Sequence, residues 1–393
     1  MIFTLEALQA DYGDCLLLHY GKKSDPKILV IDGGPKAIYD NFLKPRLLAI
    51  KKKHFPATQL PISMVMVSHM DEDHVAGVLD LTEEMISKET GNEKMDFDVE
   101  NLWFNSFDDI IGNIQIPAIS SIAASVTAAS VNSIPGLKKA ERSISAVIAS
   151  TAQGRQLRDN AVSLSIPVNN PFKATAKLAK LVRGDGKKSV VPWEGLTITV
   201  VHPNTARLEK LQKQWDADLK KAKAKGDPAI IMASLIKPDT SPFNLSSIVC
   251  LVESGAKKIL LTGDARADDI LEGLKLNKLL KNGKLHVDIL KMPHHGSIRN
   301  ADADFFKTVT ADHYVISANG KFDNPDKPLL NLMGENITKG TIHLTNQSGE
   351  KGLKTKLTSF EKKLKKDGSR LKLNYRKATA PSIVLNLGEK ITF

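Results

Sequence analysis

The chain has 393 residues, 42% of them hydrophobic and 25% charged, which excludes a disordered or fibrous protein and allows a large buried core. Its 55 Lys and Arg outnumber 44 Asp and Glu, for a formal net charge of +11, so a polyanion is a candidate partner. No apolar run approaches the roughly eighteen residues of a membrane span, so no membrane association is expected.

The first residues, Met1-Ile2-Phe3-Thr4-Leu5-Glu6, carry no basic segment or cleavage site, and no secretory leader is expected. Cys15 and Cys250 stand far apart among apolar neighbours and read as small core residues in a reducing compartment, with the cytoplasm as default. In chain order, Phe3 to Ala7 and Cys15 to Tyr20 flank the turn Asp11-Tyr12-Gly13-Asp14 and predict a hairpin. Ile28 to Ile31 is a short strand halted by Asp32-Gly33-Gly34. A helix is expected over about Ala37 to Lys53, and a strand over Ile62 to Val67. Ile114 to Ala152 and Arg207 to Lys225 read as amphipathic helices, helical insertions at about 114–160 and 204–226 that offer docking surfaces for a protein partner. Strands follow at Leu196 to Val201, Ser247 to Glu253, Lys258 to Leu261, Val287 to Leu290, Tyr314 to Ser317 and Ser382 to Leu387. With no internal repeat and no linker, one elaborated α/β domain over residues 1–393 is the simplest account.

The positive charge is clustered. Between Lys351 and Lys377 there are eleven basic residues and two acids, Glu361 and Asp367, a local excess of +9. Such a basic C-terminal region attracts nucleic acid through counterion release, and equally describes a solvated lysine face.

The densest chemistry is Ser68-His69-Met70-Asp71-Glu72-Asp73-His74, where a strand ends and a helix begins. The loop between them can turn His69 and Asp71 toward one point and Asp73 and His74 toward another. Two cations roughly 3.5–4 Å apart are the arrangement that activates a water and steadies a leaving oxygen. Two more strand ends offer ligands. Leu260-Leu261-Thr262-Gly263-Asp264 presents a carboxylate suited to bridging, and Lys291-Met292-Pro293-His294-His295-Gly296-Ser297 presents a histidine pair.

Together with Tyr12-Gly13-Asp14 and Ile31-Asp32-Gly33-Gly34, these segments resemble the metallo-β-lactamase superfamily, and within it the hydrolase domain of ComEC-like DNA-uptake (competence) proteins. The resemblance covers residues 1 to about 320. It implies an αββα four-layer sandwich with a two-metal site along one edge, and two divalent ions, Mn or Zn with Mg as a third choice. His69 and Asp71 would bind the first metal, and Asp73 and His74 the second. Asp264 would bridge them, a histidine of the His294-His295 pair (His294 favoured) would complete the second site, and Asp32 would orient the ligands. Asp71 in place of a histidine, and Asn244 where another is usual, make the first site oxygen-rich and favour a harder ion.

The implied function is a metal-dependent hydrolase, a phosphodiesterase or nuclease acting through a hydroxide held between the metals. Asp71 or Asp73 would accept the water's proton, and Lys291, Ser297 and Asn319 would contact phosphate. Asn324 stands where the family pattern has a histidine before Pro325, which keeps a substrate hydrogen bond and loses acid–base capacity. The same metals would serve hydrolysis of a small ester, lactone or cyclic nucleotide, or a non-catalytic effector with a structural metal site.

Overall fold

Apolar runs with turns between them build the first sheet. In the computed structural model, which describes residues 1–106, 109–110, 150, 152–175, 178–211, 213 and 246–391, β1 (Ile2–Leu8), β2 (Leu16–Lys22) and β3 (Asp25–Ile31) form an antiparallel meander. Ala7 lies opposite Leu16, and Leu17 opposite Val30. Leu5, Leu16, Leu18 and Leu29 point to one face and Leu8, Leu17, Ile28 and Val30 to the other, and all are buried. Strands covered on both faces read as continuous apolar runs, as these do.

The helix α1 (Lys44–His54) is entered through a π-turn, Tyr39–Leu43, in which the Lys44 N–H reaches back to the Tyr39 carbonyl. One α-helix over Ala37 to Lys53 was expected. Pro45 has no N–H to give to residue 41, so the α-helical ladder can start only around it. The expected strand Ile62 to Val67 divides into β4 (Leu60–Ile62) and β5 (Met64–Met66). Ser63 marks the break: its N–H and hydroxyl both go to the Ile28 carbonyl, each at 3.0 Å. Beyond it β4 pairs with β6 (Phe97–Val99), while β5 enters the main sheet between β3 and β7 (Leu102–Trp103). Between β5 and β6 runs α2 (Glu72–Thr90).

The second sheet holds β8 (Val190–Trp193), β9 (Leu196–His202), β10 (Val249–Ser254), β11 (Lys257–Leu261), β12 (Leu285–Lys291), β13 (Val309–Ile316), β14 (Lys339–Leu344) and β15 (Arg370–Tyr375), ordered 15 to 8 across it. From β11 onward the neighbours are parallel, so each connection must cross over. The crossovers are α3 (Ala267–Leu276), α4 (Ala303–Thr308), α5 (Lys327–Asn336) and α6 (Leu353–Lys366). Finally β16 (Ser382–Asn386) returns to the first sheet, antiparallel to β1, giving the order 16-1-2-3-5-7.

Three cores hold these layers. Phe3, Leu18 and Met66 of the first sheet meet Ile198, Cys250 and Ile289 of the second. Val75, Val78 and Leu81 of α2, with Leu157 and Ala161, cover the outer face of the first sheet. Ile270, Phe305, Leu330 and Leu357 cover that of the second. The result is a mixed α/β fold of two major sheets, of six and eight strands, flanked by helices. No described helix is long and apolar enough to cross a membrane. Cys15 and Cys250 are buried free thiols in different cores.

The basic stretch 351–377 belongs to this second sheet and its helical cover. Leu353, Leu357, Phe360 and Leu364 form the buried stripe of α6, and the chain then adds β15 to the sheet edge. Of the two expected insertions, 114–149 and 214–226 lie outside the described residues, while 152–163 and 205–211 are helical.

Candidate metal centre

Strand ends from both sheets converge on one edge. Asp32 follows β3, His69 follows β5, Asp264 follows β11, and His294 and His295 follow β12. Such carboxyl ends of parallel strands are where open α/β sheets leave room for a site. The start of α2 is pressed against two loops. The Gly33 N–H donates to the His74 carbonyl at 2.7 Å and the Asp14 N–H to the Asp73 carbonyl at 3.1 Å. Glycine permits this approach, since a Cβ on Gly77 would lie 2.1 Å from the Gly33 carbonyl oxygen and one on Gly13 2.0 Å from that of Asp73. His294 and His295 both take left-handed backbone, with φ of 47° and 54°. Strained conformations of this kind persist only where surrounding bonds enforce them, and they concentrate at functional sites. Here the His294 N–H is held by the Gly263 carbonyl at 3.1 Å, and its own carbonyl accepts from Ser297 N and Asn324 Nδ2.

The Asp264 carboxylate is the hub. Its Oδ2 faces His294 Nε2 at 3.5 Å and His69 Nε2 at 3.6 Å; its Oδ1 faces His74 Nε2 at 3.4 Å and His295 Nε2 at 3.7 Å. Asp71 joins the first half, 3.6 Å from His69 Nε2. Asp73 joins the second, 3.3 Å from His295 Nε2 and 4.0 Å from His74 Nε2. Within the second half, His74 Nε2 and His295 Nε2 stand 3.2 Å apart.

Each ring is oriented from behind. His74 Nδ1 meets Asp32 Oδ2 at 2.9 Å, His295 Nδ1 meets the Ser317 carbonyl at 3.0 Å, and His294 Nδ1 meets Asn300 Oδ1 at 2.9 Å. All three partners only accept, so these Nδ1 atoms carry the proton and each Nε2 offers its lone pair to the cluster. His69 Nδ1 meets the Ser68 hydroxyl at 3.1 Å. Asp32 itself accepts from Ser68 N and Oγ, at 2.7 and 2.8 Å.

Charge is concentrated here. Burial works to raise the Asp264 carboxyl, yet His294, His295, His74 and His69 hold it well below the usual carboxylate range. Burial would likewise lower the histidines, but Asp264, Asp32 and Asp73 hold His74 well above its ordinary value, and Asp264 and Asp14 push His295 up to about 10. Asp14 is buried beside Lys291, whose Nζ lies 2.6 Å from its Oδ2, and that ammonium with His295 outweighs burial to hold its carboxyl low.

The donors fit a divalent cation. Asp14 Oδ1, His69 Nε2 and Asp264 Oδ1 are buried without a hydrogen-bond partner, an expensive state that a bound ion relieves. One donor atom from each of Asp14, His74, Asp264 and His295 falls within 4.8 Å of every other. Imidazole nitrogens with carboxylate oxygens and no thiolate suit zinc or manganese, with magnesium at the oxygen-rich extreme.

Thus the structure brings together His69, Asp71, Asp73, His74, Asp264, His294 and His295, with Asp32 behind His74. The histidine pair divides between the halves: His295, where His294 was favoured, faces His74 and Asp73, while His294 shares Asp264 Oδ2 with His69. Lys291 departs from its expected role as a phosphate contact, because it is 1% exposed and bound to Asp14 and to the Met292 carbonyl. Ser297 and Asn324 are also turned to local structure. The Ser297 side chain accepts from Arg299 N, and Asn324 donates to the His294 carbonyl. Asn319 Oδ1 accepts from Lys321 N in the loop after β13. Asn244 lies outside the described residues. Asp14, Asn300 and Ser317 were missed as parts of the centre. Only the Tyr12-Gly13-Asp14 turn carried a signal, and a polar turn in a hairpin is common.

No family model matches the chain. A stretch of 114 residues is 28% identical to ComE operon protein 3 of Bacillus subtilis (strain 168). The match takes in 28% of this chain and 14% of that protein, a small part of the relative's length.

Proposed function

We propose that the protein is a metal-dependent hydrolase of the metallo-β-lactamase superfamily, an αββα sandwich with ComEC-like ligands, and that it cleaves phosphodiesters, with nucleic acid as the first substrate to test. One observation carries this reading: four histidines aim Nε2 at a single buried carboxylate, two at each of its oxygens. A bridging carboxylate flanked so evenly suits a pair of ions better than one. His69, His294, Asp71 and Asp264 Oδ2 would hold one ion; His74, His295, Asp73 and Asp264 Oδ1 the other, with Asp14 beside it. Divalent ions bound there supply Lewis acidity toward a phosphoryl oxygen and lower the pKa of water.

The chain's own residues do the rest. Asp32, Ser317 and Asn300 fix ring orientation, so little reorganisation is needed when charge develops. Asp71 is the most open carboxylate of the cluster, 32% exposed at the N-cap of α2, and is placed to take a proton from an incoming water and release it to solvent. Asp73, at 17%, is more enclosed and lies against His295. The net charge of +11 supports a polyanionic substrate.

The test is degradation of labelled single- and double-stranded DNA and RNA with manganese, with chelated protein and Asp264→Ala as blanks. Cleavage that vanishes in both blanks supports the reading. Metal-loaded protein that leaves every polymer intact but opens a small ester or cyclic nucleotide moves the substrate class. Protein that binds no metal ends the proposal.

A further inference from the structure

Of the side chains expected to grip a phosphate, Lys291, Ser297 and Asn324 are buried, which turns attention to the rim. There the segment from Ser317 to Asn324 is tied at both ends to the histidine pair. Its first residue receives His295 Nδ1 on its carbonyl, and its last donates to the His294 carbonyl at 3.2 Å. The Ser317 hydroxyl also donates to the Gly13 carbonyl at 2.6 Å, which ties the segment to the turn carrying Tyr12 and Asp14.

Between these anchors, three side chains form a small assembly. The Phe322 ring stands edge-on to Tyr12, with centroids 5.6 Å apart and planes at 87°. Lys321 Nζ sits 3.5 Å from the Tyr12 centroid and 5.4 Å from that of Phe322. Tyr12 is fixed in turn by donating its hydroxyl to Glu72 Oε2 at 2.9 Å, between Asp71 and Asp73. Phe322 is nevertheless 63% exposed. A single exposed ring needs no explanation. A ring held at a right angle by a second aromatic and a cation, next to a metal centre, is a surface prepared for a flat partner.

One residue further, Asp323 opens onto a groove of about 600 Å³ between α5 and α6, lined by Lys327, Lys351, Lys356 and Lys363. Asp323 is the one acid among the lining residues, and Lys356 Nζ neutralises it at 2.8 Å. Lys327 and Lys351 are exposed. Aromatic platform and lysine-lined groove are therefore consecutive on one loop.

We infer that this rim is a track for single-stranded nucleic acid: Phe322 carries an unstacked base beside the metal centre, and the groove between α5 and α6 carries the phosphates that follow. The inference rests on the phosphodiesterase reading for the site it serves, and adds the strandedness of the substrate. A duplex keeps its bases stacked on one another and offers none to Phe322; a single strand offers every base.

The test is fluorescence anisotropy with the metal-loaded full chain and short phosphorothioate oligonucleotides that resist cleavage, single-stranded and duplex, over a range of salt. Phe322→Ala should weaken single-strand binding about 10- to 100-fold and bring the preference over duplex toward parity, whereas Phe322→Trp should keep that preference. Lys327→Gln with Lys351→Gln should make the log–log salt dependence shallower by about 0.7 for each lysine lost. Single-strand affinity indifferent to Phe322→Ala, or a salt slope unchanged in the double lysine variant, would overturn the track. Neither result depends on turnover. A track that binds as described, on a protein showing no manganese-dependent cleavage of nucleic acid, would instead sink the nuclease reading and leave the track standing.

Discussion

Replacing Lys291 with methionine separates a structural ammonium from a substrate contact. Lys291 Nζ lies 2.6 Å from Asp14 Oδ2, and both side chains are 1% exposed. Methionine keeps most of the volume and removes the charge, leaving a buried carboxylate compensated by His295, whose Nδ1 is 3.6 Å from its other oxygen, and by His74. Breaking one side of such a pair costs about 3–5 kcal/mol. With an unfolding entropy of about 2.1 cal/mol/K per residue, a chain of 393 residues should lose about 4–6 °C in Tm. The deficit also has a pH signature. The Asp14 carboxyl is held below its ordinary value in the folded protein, so its contribution is fully present above about pH 4 and fades as pH falls toward the folded value. The variant loses that contribution, so the gap between the two proteins should be widest near neutrality and close in acid. Thermal unfolding of chelated protein reads this directly. Adding Asp14→Asn removes the orphaned charge and should recover much of the loss. A Lys291→Met protein as stable as the original, with a raised KM for a phosphodiester, would refute the structural assignment and restore Lys291 as a phosphate ligand.

Two further outcomes follow from the rings and their partners. Asp32→Asn keeps size and tolerance of the left-handed backbone at that position (φ 56°), but can turn an amide donor toward His74 Nδ1; metal affinity in a chelator competition should fall about 10- to 100-fold, and an unchanged affinity would remove Asp32 from the centre. Because Asp264 and Asp14 push His295 up to about 10, its ring carries an extra proton at pH 8 in the metal-free protein. Metal uptake must displace that proton, so affinity should rise with pH up to about 10. Titration calorimetry in two buffers of different ionisation enthalpy should give different heats, and equal heats would contradict the assignment.

The ligand-bearing strand ends were legible because their information is local. A strand, a run of ionisable residues and a helix start occur within one short segment at His69–His74, and burial of so many polar groups demands a compensating charge. What decided the division of His294 and His295 was not local. Both histidines take left-handed backbone, and the direction each ring faces is set by Gly263, Asn300, Ser317 and Asn324 on other elements. Asp14 was illegible as a member of the centre for the same reason, since its meaning depends on an ammonium on a distant strand of the second sheet. In the region 62–67, apolar periodicity is identical for one strand and for two short ones, and only the bonds from Ser63 to Ile28 separate them.

The basic stretch shows where counting charge stops being informative. The buried stripe Leu353, Leu357, Phe360 and Leu364 was present in the sequence at helical spacing, but the lysines around it dominated the reading as a basic region or a solvated lysine face. Once folded, those lysines divide by geometry. Lys365 merely pairs with Glu361 on the exposed side of α6, whereas Lys351, Lys356 and Lys363 line the groove that begins one residue from Phe322. On the proposed reading, a polyanion would be drawn by the whole excess and held where cations line one cavity. The position of that cavity, and not the count of +11, is what connects the charge of this chain to its metal centre.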